Sequence, residues 1–204
     1  THIVELGHHQ GLAAAFRVGL DESLRLGADI IVNTDGDNQY WGSDIESLIH
    51  PIIYNQVDLV VGSRDINSVS SFSWIKKQIQ KIGSWVVRSI ARSTIVDTTS
   101  GFRAYSRKAA MRTIVHSRVS YTLETVIQSG FNQLRVDTIP VRTNEKLRES
   151  RLASSSWTYL KKSIPTILRI YTMYNPLKVF FLLGLISLMI GFLLGIRYLY
   201  FFIV

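Results

Sequence analysis

The 204-residue chain contains no cysteine. Disulfides and thiolate metal sites are therefore excluded, and a metal would need harder oxygen or nitrogen donors. No basic stretch leading into an apolar run with a small-residue cleavage site opens the chain, and Thr1 is not an initiator methionine. No Ser-His-Asp or Cys-His nucleophile arrangement is visible. There is no internal repeat and no low-complexity tract, since Ser154-Ser155-Ser156 is too short to count. Charge is nearly missing from the end of the chain. The 26 residues from Val179 to Val204 carry Arg197 alone.

What charge there is divides unevenly. The net charge is +8, yet residues 1–65 hold 3 Lys/Arg against 10 Asp/Glu. Residues 66–140 hold 11 against 3, and residues 141–178 hold 8 against 2. An acidic region followed by a basic one suggests cation binding in the first and an anionic surface or ligand beside the second. Nucleic acid is not the expected partner, because the first third is acidic and the end is apolar.

Val179–Ile196 supplies 18 apolar or small residues in sequence, close to the ~20 that cross a bilayer as a helix. Its glycines, Gly184, Gly191 and Gly195, are common in membrane helices. Lys161, Lys162, Arg169 and Lys178 precede the run, and basic flanks stay cytoplasmic, so the soluble part is expected to face the cytoplasm.

The soluble part alternates helices and strands. Gly11–Leu26 repeats apolar residues at helical spacing, with Gly27 as its stop. Ile30-Ile31-Val32 is a short apolar strand ending in the polar turn 35–39. Ser43, with Glu46 in capping-box position, opens a helix to about Tyr54. Val57–Val61 is a second strand, ending in Gly62-Ser63-Arg64. This rhythm predicts an α/β domain with a mostly parallel sheet, in which ligands gather at the carboxyl ends of the strands. Ile3–Leu6 reads as a strand entering a domain already under way, so an N-terminal piece is expected before Thr1.

Two further segments read as amphipathic helices. In Trp74–Arg92, Ile75, Ile79, Ile82, Val86 and Ile90 form one stripe, opposite Lys77, Lys81, Arg88 and Arg92. In Ser156–Tyr174, Pro165 is a candidate kink. Basic faces beside aromatic residues suit helices lying on anionic lipid.

Asp35 and Asp37 place two carboxylates two residues apart at a strand end, with Gln39 two further on. A hard divalent ion takes one or two such carboxylates together with substrate phosphates. His8 and His9 do not make a metal pair, because adjacent side chains in an extended segment point to opposite faces.

Ala28–Gln39 resembles the strand and D-x-D-x-Q motif of family 2 glycosyltransferases, in particular the dolichyl-phosphate mannosyltransferase and polyprenyl-phosphate glycosyltransferase group. Three more blocks are similar to that group, in the same order. They are Asp58–Arg64 (D-x-V-x-G-S-R), Asp97–Ala104 (D-x-x-S-G-F-R) and Arg148–Leu152 (R-x-S-K/R-L). The Q-x-x-R-W motif of processive polysaccharide synthases is missing. The resemblance implies a glycosyltransferase A, Rossmann-like domain over residues 1–153, a juxtamembrane amphipathic segment over 154–178 and a transmembrane segment over 179–204. It also places the family's first strand and nucleobase-binding turns before Thr1.

The resemblance further implies roles. Asp35, Asp37 and Gln39 would hold Mg²⁺ or Mn²⁺ and, through it, the diphosphate of a GDP- or UDP-linked nucleotide-sugar. Asp97 would be the base or electrostatic partner near the acceptor. Arg64, Ser100 and Arg103 would hold the phosphate of a polyprenyl or dolichyl acceptor. Arg148, Arg151 and Gly11 would approach the donor diphosphate, with Arg151 standing where many relatives have Lys. The implied setting is the plasma membrane of a prokaryote or the endoplasmic reticulum, with membrane lipid as a partner and a homo-oligomer compatible. Two other readings are an inactive lipid-phosphate-binding remnant and a glycosyltransferase with a non-lipid acceptor.

Overall fold

A computed structural model describes residues 2–64, 95, 97–116, 121–144 and 156–203, with the backbone alone for 156–163. The expected 74–92 helix, Arg148 and Arg151 lie outside the described residues. The chain divides into two compact units, Thr1–Ile167 and Leu168–Val204.

In the first unit, α1 (Leu12–Arg25) precedes β1 (Ile30–Asn33). A 3₁₀ turn (Gly42–Asp44) leads into α2 (Ile45–Tyr54), followed by β2 (Leu59–Ser63). Then come β3 (Arg103–Ser106), α3 (Arg107–Arg112), α4 (Thr122–Phe131) and β4 (Val136–Pro140). The helix α5 (Ser156–Tyr174) runs on from this unit into the second.

The α/β class holds, but the described sheet is mixed rather than mostly parallel. Its order is β1-β3-β2-β4; β3 is antiparallel to both β1 and β2, and β2 is parallel to β4. The reversal has a simple cause. The 97–102 loop lies at the edge where β1 and β2 end, so the strand that follows it must run back between them. Pairing is in register at Ile31↔Tyr105 and Val60↔Ala104. Strands β1, β2 and β4 therefore end, and β3 begins, at one sheet edge.

The core against α2 joins Leu48, Val60, Phe102, Ala104, Tyr40 and Val141. Burying each large apolar side chain there contributes about 1.5–3 kcal/mol. On the other flank Phe16 of α1 stacks on Tyr121 with ring centroids 3.9 Å apart.

Two local expectations fail. Residues 2–6 form no strand: Ile3 and Val4 are exposed, and among the described residues no strand pairs with this segment. The Ser43 capping box does not form, because the 3₁₀ turn absorbs the start of the helix and the Ser43 hydroxyl and Asp44 carboxylate turn to Arg142.

In the second unit, α6 (Pro176–Ile203) is exposed along its length and reaches a mean hydropathy of 2.7. It is long and apolar enough to cross a membrane. Pro165 sits inside α5, where it lacks the N–H that would bond back one turn.

Candidate functional site

The site is built where three strand ends and one strand start meet. Asp35 follows β1 by two residues, Arg64 follows β2 directly, Asp97–Phe102 leads into β3, and Val141–Asn144 leaves β4. The side chain of Asn33 donates to the Gly101 carbonyl at 2.7 Å, and the Tyr121 hydroxyl donates to the same carbonyl at 3.3 Å. These bonds tie the loop before β3 to the end of β1.

Asp35 and Asp37 share the turn after β1. Burial raises the pKa of Asp35, and the Asp37 charge raises it further, against the opposing pull of Arg64 and Arg103. Two like charges held this close favour a divalent cation between them, and the donors are hard oxygens, so the residues fit a Mg²⁺ or Mn²⁺ site. Among the described residues no three His, Cys, Asp or Glu side chains cluster. A cation here would therefore take its remaining ligands from substrate oxygens, water or the Gln39 amide. His8 and His9 are exposed.

Arg64 and Asp97 form a two-pronged ion pair. Arg64 Nε donates to Asp97 Oδ2 at 2.7 Å, and its Nη2 donates to Oδ1 at 3.1 Å and to the Thr99 hydroxyl at 2.8 Å. Asp97 also accepts from the Thr99 backbone N–H and hydroxyl. Asp97 is fully buried, while the Arg64 side chain remains 17% exposed. Burial pushes the Asp97 carboxyl up, but the Arg64 charge and the bonds from Arg64 and Thr99 outweigh it and hold the group below its ordinary range. Burial works against the Arg64 charge, yet Asp97 keeps that guanidinium firmly protonated.

Arg103 and Ser100 lie inside the loop. Arg103 is 0% exposed. Its guanidinium donates to the carbonyls of Ser100 (2.8 Å), Thr98 (2.9 Å) and Thr122 (3.0 Å) and to the Thr125 hydroxyl (2.5 Å). Four neutral acceptors meet the fork, so it braces the loop from inside. Ser100 is equally buried; its hydroxyl accepts from the Phe102 N–H and lies 3.3 Å from the Tyr40 hydroxyl.

Gly11 begins α1 with φ of 85°, a left-handed conformation that favours glycine. Phe16, one turn on, stacks on Tyr121, whose hydroxyl accepts from Asn33 at 2.6 Å, so α1 starts on the flank where β1 ends.

Several residues escaped the sequence reading. Tyr40 is buried among the Asp35, Arg64 and Asp97 charges, and burial raises its pKa. Asn33 and Tyr121 hold Gly101, and Asn144 holds the turn after Asp37. The period-two alternation of strands could have found Asn33, which lies two residues before Asp35. Nothing local marks the others, because their partners are 20 to 106 residues away. A cavity of about 360 Å³ lined by Asp58, Lys108 and Arg135 lies at the opposite end of the sheet, where β2 and β4 begin.

Comparison with known proteins bears on the same region. The sequence profile described as glycosyl transferase family 2 matches residues 1–114. The UDP-N-acetylglucosamine–dolichyl-phosphate N-acetylglucosaminyltransferase of Methanococcus voltae is 30% identical, over 69% of this chain and 59% of that protein. The polyprenol monophosphomannose synthase of Mycolicibacterium smegmatis is 24% identical, over 76% of this chain and 61% of that protein. The chain thus spans about three-fifths of the length of these relatives. Among solved structures, glucosyl-3-phosphoglycerate synthase of Mycobacterium tuberculosis, in complex with Mn²⁺, UDP-glucose and phosphoglyceric acid, superposes with a TM-score of 0.56. Identity is 12%, covering 81% of this chain and 55% of that one, a likeness of fold.

Proposed function

The chain belongs to glycosyl transferase family 2, and from that premise we propose that it transfers a sugar from a GDP- or UDP-linked donor to a polyprenyl or dolichyl phosphate. The observation that carries the reading is the convergence of an acidic pair, Asp35 and Asp37, with a clamped arginine, Arg64, at one sheet edge. Such a pairing suits a donor diphosphate on one side and an anionic acceptor on the other. The relatives named for dolichyl-phosphate and polyprenol products point the same way.

Asp35, Asp37 and Gln39 are the residues that would hold Mg²⁺ or Mn²⁺. That ion would supply neutralisation of the charge growing on the departing diphosphate. Arg64 would grip the acceptor phosphate. Its Nε and Nη2 are committed to Asp97 and Thr99, and among the described residues its Nη1 has no protein partner. Asp97 is then a positioning residue rather than a base. It is buried, holds Arg64 in one orientation, and a lipid phosphate is already an anion that needs no proton removed. Arg103 and Ser100 would shape the loop that carries Asp97. Arg148, Arg151 and the start of α1 at Gly11 would complete the donor side.

The chemistry is a single displacement. A phosphate oxygen forms the new bond to the anomeric carbon as the bond to the donor diphosphate breaks. The nucleoside diphosphate leaves with the electron pair, and configuration inverts. Residues 1–153 would form the catalytic domain, 154–178 the juxtamembrane segment and 179–204 the membrane span. The basic flank at Lys161, Lys162, Arg169 and Lys178 argues for a cytoplasmic active face.

The test is to incubate the whole protein in detergent with GDP- and UDP-sugars and polyprenyl phosphate, with and without Mg²⁺ or Mn²⁺. A lipid-linked sugar formed only with metal is expected. Donor hydrolysis alone, or transfer only to a soluble acceptor, would overturn the lipid-phosphate assignment.

A further inference from the structure

We propose that Asn144 is a positioning residue for the cation-binding turn, acting through the peptide group between Asn38 and Gln39; this rests on the reading of Asp35 and Asp37 as metal ligands. The N–H of that peptide, on Gln39, donates to Asp37 Oδ1 at 3.1 Å. Its C=O, on Asn38, accepts from Asn144 Nδ2 at 2.8 Å. One peptide plane is therefore held at both ends, by the carboxylate of Asp37 and by the side-chain amide of Asn144. The next carbonyl, on Gln39, accepts from the Asn144 backbone N–H at 2.9 Å. Both carbonyls flanking Gln39 thus end on one residue.

The turn needs an external brace. Asn38 has φ of 58°, a left-handed conformation that a non-glycine residue adopts at a cost. Asp37 is exposed, so little packing fixes its side chain. The brace comes from the segment leaving β4. Val141 N–H extends the β2 pairing by donating to the Ser63 carbonyl, and Thr143 bridges to Tyr40. Arg142 pins the far side of the turn by donating to the carboxylate of Asp44 and to the hydroxyl of Ser43, while its guanidinium lies 4.8 Å from the Trp41 ring. The segment is anchored to the sheet before it reaches the turn, so Asn144 offers a fixed amide rather than a mobile one.

The consequence concerns Asp37. Its Oδ1 is committed to the Gln39 N–H, which orients the carboxylate and leaves Oδ2 for a cation. Without the Asn144 amide the Asn38–Gln39 peptide can rotate, and Asp37 loses the N–H that orients it. Partners that orient a ligating carboxylate typically change metal affinity about 10–100-fold when removed.

The experiment measures Mn²⁺ binding directly, by loss of the free-ion electron paramagnetic resonance signal. The whole protein in detergent is titrated with UDP or GDP present and no acceptor. Asn144→Ala is expected to weaken Mn²⁺ about tenfold, with thermal unfolding in the absence of metal nearly unchanged. Asn144→Leu nearly keeps the size, adds no charge and cannot donate to the Asn38 carbonyl, and is expected to behave alike; it replaces the alanine variant should that one fail to fold. Asp37→Ala, the control, is expected to lose Mn²⁺ binding. If Asp37→Ala loses the ion while the folded Asn144 variants bind it like wild type, the positioning role is wrong and the metal reading stands. If Asp37→Ala binds like wild type, the metal reading itself fails and the proposal falls with it.

Discussion

The Asp35 carboxylate rests against the backbone of Gly101, so closely that a Cβ on Gly101 would stand 2.5 Å from Asp35 Oδ2 and 2.8 Å from Oδ1. The residues are 66 positions apart in sequence, yet the first acidic side chain of the turn uses the missing side chain of the loop as its seat. Asn33 and Tyr121 hold the Gly101 carbonyl and so fix that seat.

Gly101→Ala is accordingly expected to displace Asp35 while leaving the fold in place. Displacing a group at the site by about 1 Å can cost on the order of 100-fold in rate. We expect a loss of turnover of that order, with far-ultraviolet circular dichroism unchanged. Wild-type turnover in this variant would show that Asp35 need not occupy the place seen here.

Arg64 and Asp97 are expected to act as a unit. Arg64→Lys loses the planar two-pronged contact, and Asp97→Asn loses the charge that orients it. Each variant should lower kcat/KM by about 100-fold, and the double variant should lose little more, because both remove one relationship. Steady-state kinetics on the four proteins of the cycle decides it; fully additive losses would mean that the two side chains act separately.

Arg103 is expected to be a stability residue. Arg103→Met removes four buried hydrogen bonds, to the carbonyls of Ser100, Thr98 and Thr122 and to the Thr125 hydroxyl, which should cost about 3 kcal/mol or more. Chemical denaturation should show the loss clearly, and Arg103→Lys should recover only part of it, because one ammonium cannot reach four divergent acceptors. Unchanged stability with a raised KM for the lipid phosphate would restore the ligand-binding role for this residue.

The two site carboxylates should respond to pH in opposite ways. Asp97 has a folded pKa below its ordinary 3.8, so the unfolded chain binds more protons in the window between the two values. Its stabilising contribution is full above the ordinary carboxylate range and disappears as pH falls through the depressed value. Asp35 has a folded pKa above 3.8, so in its window the folded state binds more protons and stability declines as pH rises. Protons should also compete with a cation at Asp35. We expect Mn²⁺ affinity to begin falling at a pH above the ordinary Asp range, and Asp35→Asn, which has no such proton to bind, to flatten that dependence over the same window. A wild-type profile as flat as that of the variant would sink the idea.

Much of the frame was legible in sequence because it rests on local periodicity. The helices α1, α2, α5 and α6 and the strands β1 and β2 follow from apolar spacing. Strand β3 was not legible. Arg103-Ala104-Tyr105-Ser106 shows no apolar alternation, and it is a strand because β1 and β2 offer it hydrogen bonds on both sides. The Ser43 capping signal misled because Arg142, 99 residues away, competes for that hydroxyl and takes Asp44 as well.

The sequence by itself determined the apolar C-terminal helix, the acidic turn after β1 and the family to which the motifs point, since each is written in contiguous residues. Tertiary structure alone decided which arginine faces outward and which is spent inside. Arg64 and Arg103 occupy matching places in similar-looking motifs, and only the surrounding acceptors distinguish them. A buried carboxylate turns one toward the site, and a ring of backbone carbonyls draws the other into the core.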